Sequence, residues 1–400
     1  MNQENRAWAE INLDAIENNI KAIRNYVDKS AKILGVVKAD AYGHGYLEVA
    51  RTLLENGADA LAVACLDEAV QLRRCKIQSP ILILGHSSFD EAETLVLNDV
   101  IPACFDFEHA KAISEAAVKL KRNAKLHIKL DTGMGRVGYR FTDNKLENEK
   151  TIAEILKIAA LDNIIVDGIF THFSVADDND DEYTNLQFER FLTACEELKK
   201  RGLDIKTRHC CNSAALIRFP NMHLDMVRPG IILYGASPSE VVDASFLNLK
   251  PAMTFKAKIT NLKTVEKGAS ISYGRKFTAE NDTKIATIPV GYADGYSRLL
   301  SNKSAKVLIG KNLCNLVGNI CMDQCMFDAT NVNTIAIGDE VILFGEGDNI
   351  ELPVESLAEK MGTINYEILC MVGKRIPRIY LKDGEIQKTH NYLLDSPLVD

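Results

Sequence analysis

The chain is poor in several features that would narrow its function at once. Tryptophan occurs once and all aromatics together make up 7% of the residues. The ten cysteines, at 65, 75, 104, 195, 210, 211, 314, 321, 325 and 370, form neither a dense disulfide framework nor paired CxxC knuckles, so reduced thiols that mostly fill core are expected. No H-E-x-x-H occurs, and His86, His109, His127 and His223 lack metal-ligand spacing, which makes them structural histidines and predicts no metal. Nowhere do about 18 apolar residues run together. The start, Met1-Asn2-Gln3-Glu4-Asn5-Arg6, has neither a basic nor an apolar signal region, so a cytoplasmic protein is expected. Positive charge is also in deficit: a net charge of −8 and a pI near 5.6 repel phosphate backbones and anionic lipids, which excludes nucleic acid and membranes as expected partners.

What remains is a folded chain of 400 residues, 46% hydrophobic and 26% charged, without internal repeats. Length alone predicts two or three units at roughly 150 residues each, or a barrel of about 250 plus a smaller unit. From residue 12 to about 235, short β-branched runs alternate with text of helical period, the pattern of parallel βαβ units. The expected strands are Ile33–Val37, Ala60–Ala64, Ile81–Leu84, Val100–Cys104, Leu126–Leu130, Ile164–Thr171, Ile205–His209 and one around Met226–Tyr234. Helical text such as Leu13–Tyr26 and Leu186–Arg201 lies between them. Eight such strands suit a closed barrel, although periodicity alone does not separate it from an open doubly wound sheet. After a small, polar linker at 235–251 the period changes to two: Met253, Phe255, Ala257 and Ile259 alternate with Thr254, Lys256 and Lys258. Short strands follow at Ile285–Val290, Ala305–Ile309 and Val341–Phe344, with one late helix near Val354–Met361. The second unit therefore reads as mostly β.

In a parallel barrel the working side chains stand where strands end at their carboxyl side. The polar residues there are Lys38 and Tyr42, Asp131 and Arg136, His172, then His209, Asn212 and Ser213, and finally Arg228-Pro229-Gly230. A lysine closing a buried strand either snorkels to solvent or loses basicity by desolvation, and the second state is what an amine attacking a carbonyl needs. Gly43 and Gly45 permit close backbone approach, while Arg228, free N–H groups and Ser213 offer a cation and donors. Together these suit a phosphate-bearing aromatic cofactor. Gly133-Met134-Gly135-Arg136-Val137-Gly138 matches a dinucleotide fingerprint in form, but it follows the fifth strand and leads into turn-like Tyr139–Asn144 rather than a helix.

The segment Val37-Lys38-Ala39-Asp40-Ala41-Tyr42-Gly43-His44-Gly45 closely resembles the pyridoxal phosphate attachment site of bacterial alanine racemases. Lys129-Leu130-Asp131-Thr132-Gly133-Met134-Gly135-Arg136, Thr171-His172-Phe173, Cys211-Asn212-Ser213-Ala214, Val227-Arg228-Pro229-Gly230, Ser272-Tyr273-Gly274, Gly291-Tyr292-Ala293-Asp294-Gly295-Tyr296 and Cys321-Met322-Asp323-Gln324 follow in that family's order. The resemblance implies an α/β fold: an N-terminal (β/α)8 barrel of the TIM type at 11–242 binding pyridoxal 5'-phosphate, and a mostly β domain at 243–400 joined by a strand from residues 1–10.

It also implies roles. Lys38 would hold the cofactor and act as one acid/base group; Tyr273, from the partner subunit of a homodimer, would be the other, on the opposite face. Tyr42, His172, Asn212, Ser213, Gly230, Ile231 and Tyr366 would bind the cofactor, with Arg228 facing its ring nitrogen. Arg136 and the backbone of Met322 would take the substrate carboxylate, and Lys129 matches a lysine that is carbamylated in some members. Many members carry an arginine where this chain has Asn319, which bears on substrate access. The implied reaction is interconversion of L- and D-alanine, a small-molecule substrate whose D-form feeds peptidoglycan. The alternatives are racemisation of another amino acid such as serine, a pyridoxal phosphate decarboxylase, and a barrel that binds the cofactor without catalysis.

Overall fold

The computed structural model describes residues 5–347 and 350–395. Of the expected N-terminal strand, residues 1–4 lie outside the described part, as do 348–349 and 396–400 of the expected β domain. The chain divides into two compact units, and their limits differ from the expected ones. One comprises Ile16–Ala41 and Tyr46–Lys250; the other takes the chain up to Ala15, the four residues Tyr42–Gly45, and everything from Pro251 onward.

The first unit is the barrel. Its strands, in order, are Lys32–Val36, Ala60–Val63, Ile81–Ile83, Ile101–Cys104, Ala124–Asp131, Ile164–Phe170, Thr207–His209 and Met226–Val227. Each of the first six pairs in parallel with the next, and the eighth pairs in parallel with the first through Met226 opposite Lys32. Between the seventh and eighth, Asp225 N–H donates to the Arg208 carbonyl (3.2 Å) and Arg228 N–H to that of Cys211 (3.0 Å), which nearly closes the ring. Closure explains the near-continuous apolar runs, because strands covered on both faces have no solvent side to alternate with. The outer helices start at side-chain caps legible in the sequence: Asp106, Asn144 and Asp180 accept from the N–H groups of His109, Glu147 and Tyr183.

Two expectations are corrected. The run Met226–Tyr234 is a strand only at its first two residues, because Pro229 has no N–H to give a ladder; Ile231–Tyr234 is a 3-10 turn. The helix expected at Leu186–Arg201 begins at Asp181, where the Asp180 cap outweighs the polar composition of its first turn.

The second unit is built on a sheet with eleven strands among the described residues. Ala7–Asn12 sits inside it, antiparallel to Met253–Lys258 (Ala9 opposite Phe255) and parallel to Arg378–Lys382 (Glu10 opposite Ile379). Met253, Phe255 and Ala257 are buried and the residues between them are not, as their alternation requires. Helices Val354–Met361 and Asn365–Met371 follow. No helix among the described residues is long and apolar enough to cross a membrane.

Candidate active site

The first strand ends in a backbone that L-amino acids rarely adopt. Ala39, Asp40, Ala41 and Tyr42 have φ of 52°, 56°, 53° and 53°, a left-handed turn beginning directly after half-buried Lys38. Each such residue costs roughly 1–2 kcal/mol, so the turn persists only because its surroundings impose it. Glu68 is one cause: its carboxylate accepts from Ala39 N–H and from Ala64 N–H, both at 2.7 Å, tying the ends of the first two strands together. Asp40 accepts from Tyr46 N–H (2.9 Å). Nothing in the sequence singled out Glu68, since only this unusual turn gives it a task.

At the fifth strand, the Asp131 carboxylate accepts from Gly133 N–H (3.0 Å) and Gly135 N–H (3.0 Å). The glycine motif is thus wrapped around an internal anion that takes the amides of its first two glycines, and no helix follows it directly, which removes the dinucleotide reading. Tyr139–Arg140, in the turn-like text, forms a two-residue strand against Leu130 and Asp131. Arg136 is exposed on this turn. Lys129 is buried; its ammonium donates to the Leu130 carbonyl (2.6 Å) and lies 5.4 Å from the Phe170 ring centre. Burial first, then the charges of Arg228 and Arg136, bring its pKa down to about 7 against the partial opposition of Asp131.

Arg228 is the centre of the barrel-mouth network. It is 3% exposed and meets Nδ1 of His209 (3.1 Å), Nδ1 of His172 (3.3 Å) and the carbonyls of Thr171 and Cys210 (both 2.9 Å). Desolvation lowers its pKa to about 10, which leaves it cationic at neutral pH. His172 and His209 are held well below the ordinary histidine value, by burial and then by Arg228, so both rings are neutral. Arg136, Lys129 and Lys38 add to the effect on His172, which puts four cations of the expected site around one imidazole. Behind His209 stands His127 at 2.9 Å, and behind that the carboxylate of Asp167. His127 was expected to be a structural histidine; it is buried and hydrogen-bonded, and it also links this network to Asp167.

On the neighbouring strand ends, the Ser213 hydroxyl accepts from Gly230 N–H (2.8 Å), with Ile231 fully buried beside them. Asn212 spends its side-chain oxygen on Ala215 N–H (2.9 Å), capping Ser213–Arg218.

The second unit holds the other expected residues. The rings of Tyr42 and Tyr366 lie 6.0 Å apart, and burial, then Tyr366 and Cys370, push the Tyr42 phenol well above its ordinary pKa. Gly43 has φ +80°, and a Cβ there would stand 2.3 Å from the Leu369 carbonyl oxygen. Arg378, unmarked by the sequence, is fully buried and donates to the carbonyls of Gly43 (2.9 Å) and Val372 (2.6 Å). Tyr273 and Met322 are 69% and 52% exposed. Asn319 donates from its amide to the Tyr273 carbonyl (2.7 Å).

Two family models match this chain: Alanine racemase, N-terminal domain, over residues 11–238, and Alanine racemase, C-terminal domain, over 252–380. The chain belongs to the alanine racemase family. It is 50% identical to the alanine racemase of Clostridium tetani over 386 residues, which is 96% of this chain and 98% of that one. Among solved structures it resembles the alanine racemase of Clostridium difficile 630, with a TM-score of 0.92 and 42% identity over 98% of this chain and 99% of that one. It also resembles the Bacillus anthracis alanine racemase with bound L-Ala-P, with a TM-score of 0.89 and 37% identity over 97% and 98% of the two chains. The two family models between them match residues of both units described above.

Proposed function

We propose that the protein interconverts L- and D-alanine with pyridoxal 5'-phosphate, using Lys38 and the partner subunit's Tyr273 as bases on opposite faces of the substrate. The observation that carries this reading is electrostatic. Arg228 and Lys129 are both buried, and among the described residues they meet carbonyls, imidazoles and an aromatic face, with no carboxylate in hydrogen-bond contact. The oxygens of Asp131 are occupied by glycine amides. A barrel mouth with buried positive charge in excess suits an anionic, phosphate-bearing cofactor and a substrate carboxylate.

Bound pyridoxal phosphate would supply the electron sink for the charge left when the Cα proton departs. The chain's own residues do the rest. Lys38 would hold the cofactor and then carry a proton to or from Cα. Tyr273 of the partner subunit would do the same on the other face. Arg228, a donor without an acceptor, would face the ring nitrogen and keep it unprotonated, which weakens the sink and disfavours side reactions. Since Arg228 can only donate, Nδ1 of His172 accepts, and the proton of that neutral ring sits on Nε2.

Ser213, Gly230, Ile231, Tyr42 and Tyr366 would hold the phosphate, and Asn212 would act there through its cap of Ser213–Arg218. Arg136 would take the substrate carboxylate, aided by the partner subunit's Met322 backbone, and Lys129 as a carbamate would steady Arg136. The exposure of Tyr273 and Met322 supports a head-to-tail homodimer. The reading places the enzyme in the cytoplasm, with D-alanine passing to peptidoglycan precursors.

The test is incubation of the holoenzyme with L-alanine, and separately L-serine, in heavy water, followed by chiral separation and mass detection. D-alanine carrying deuterium at Cα is the expected product. Cofactor binding without any exchange would favour the non-catalytic alternative, and inversion of serine alone would overturn the substrate assignment.

A further inference from the structure

Tyr273 has an unusual support. Its side chain is largely exposed, so packing within its own unit does not hold it. Its backbone is strained: Ser272 has φ 66°, Gly274 72° and Arg275 49°, which places two non-glycine residues of this four-residue turn in the left-handed region. A turn that is both strained and poorly packed needs specific polar contacts to keep one geometry. Those contacts come from a second loop. The Asn319 amide donates to the Tyr273 carbonyl (2.7 Å), and the Ser272 hydroxyl donates back to the Asn319 carbonyl (2.6 Å).

Only the NH2 end of an amide can donate to a carbonyl, so Nδ2 must face Tyr273 and Oδ1 must face away. Oδ1 there accepts from Asn302 Nδ2 (3.3 Å), which fixes the amide in that orientation. The loops approach closely because residue 318 is glycine: a Cβ at Gly318 would stand 2.7 Å from the Ser272 Cβ and 2.8 Å from the Ile271 carbonyl oxygen. Ser272 and Asn319 thus form a reciprocal clasp, each giving its side chain to the other loop's backbone.

We infer that Asn319 is a positioning residue for racemisation, which sets the placement of Tyr273 by holding its carbonyl. The inference rests on the two-base reading above. It gives Asn319 a task in the geometry of one base, in addition to any effect on substrate access. Displacing a reacting group by about 1 Å can cost about 10²-fold in rate, so one hydrogen bond at this point has leverage beyond its own strength.

The experiment compares the wild-type, Asn319→Asp, Ser272→Ala and Tyr273→Phe holoenzymes in heavy water. Asn319→Asp keeps the shape and removes the donor. It is expected to slow inversion of alanine about 10²-fold while one enantiomer still exchanges its Cα proton without inverting, as in Tyr273→Phe. Ser272→Ala is expected to show the same pattern more weakly. A general structural defect would instead lower exchange of both enantiomers in proportion to inversion, and that result would overturn the inference. So would an Asn319→Asp enzyme that inverts alanine at the wild-type rate.

A second readout does not depend on turnover. Amide hydrogen exchange should accelerate over residues 272–275 in Asn319→Asp and stay unchanged over 283–288. If the wild-type enzyme exchanges no alanine proton at all, the function proposed above fails and this measurement alone judges the clasp; unaltered exchange at 272–275 would then overturn it.

Discussion

Nδ1 of His209 lies 3.1 Å from Nη1 of Arg228, and this one contact assigns the protons of the chain behind it. Arg228 can only donate, so Nδ1 of the neutral His209 ring accepts and its proton is on Nε2. That nitrogen stands 2.9 Å from Nδ1 of His127, which must accept in turn. The His127 proton is therefore on Nε2, 3.8 Å from the Asp167 carboxylate. One guanidinium and two imidazoles are aligned so that each donor meets an acceptor, with the half-exposed Asp167 carboxylate 3.8 Å beyond them on the solvent side and the positive end in the barrel mouth.

This alignment works only with neutral rings, and its pH dependence follows. Burial and neighbouring cations lower the pKa of His127, His172 and His209 below the ordinary 6.5. Below pH 6.5 the unfolded chain binds protons at these rings that the folded chain refuses, so stability is present above that pH and is lost as the pH falls through it. Urea midpoints should therefore drop steadily from pH 6.5 toward pH 5. NMR signals of the His127 and His209 rings should stay fixed through pH 6.5, and a titration there would contradict the assignment.

Lys129 acts with the same sign in an alkaline window. Its pKa is about 7 in the fold and 10.5 when unperturbed. Between these values the unfolded chain again binds the extra proton, so this residue makes stability rise with pH from about 7 to 10.5. Below pH 7 both states carry the charge, and the fold bears the cost of burying it. Lys129→Met should therefore be more stable than the wild type at pH 6.5, with an advantage that shrinks toward pH 10. Paired denaturant titrations in carbonate-free buffer measure this directly, since a carbamate would change the charge being tested.

Much of this was legible in the sequence because the signals were local. Strand ends, caps and the change of period from helical to two are read from a few adjacent residues, and they located the barrel strands and the β unit. Lys38, Arg228 and Ser213 were visible for the same reason. Glu68, His127, Asp167 and Arg378 were not. Each acts through a partner distant in sequence, as Arg378 does on Gly43, and as residues they look like an ordinary helix acid, a core histidine, a strand carboxylate and a late arginine. The end of the eighth strand was misjudged because Ile231–Tyr234 is as apolar as a strand, although Pro229 had already removed its ladder donor.

The left-handed turn at 39–42 can be relaxed at one position without loss of packing. Ala39 is exposed and has φ 52°. Glycine adopts that conformation freely, at the cost of more entropy in the unfolded chain. Relief of strain is the larger effect, so Ala39→Gly should stabilise the protein by about 1 kcal/mol. Gly43→Ala should do the reverse, since its Cβ would collide with the Leu369 carbonyl. Calorimetry on the pair gives a Tm shift of opposite sign for each; equal shifts would show that the handedness of this turn is not what limits stability there.

The exposure of Tyr273 and Met322 makes a prediction about assembly. On the proposed two-base reading, in which exposed Tyr273 serves the partner subunit's site, a chain on its own lacks one of its two bases. Specific activity should then be constant while the protein is dimeric and fall as dilution drives dissociation, with a midpoint that matches the dimer dissociation constant from sedimentation. Mixing inactive Lys38→Ala with inactive Tyr273→Phe sharpens the test. A mixed dimer has one site in which both lesions meet and one in which both bases are intact, so equal parts of the two variants should regain about a quarter of the wild-type activity by random pairing of subunits. Full activity in a demonstrated monomer, or no recovery on mixing once subunit exchange has been shown, would rule out the shared site.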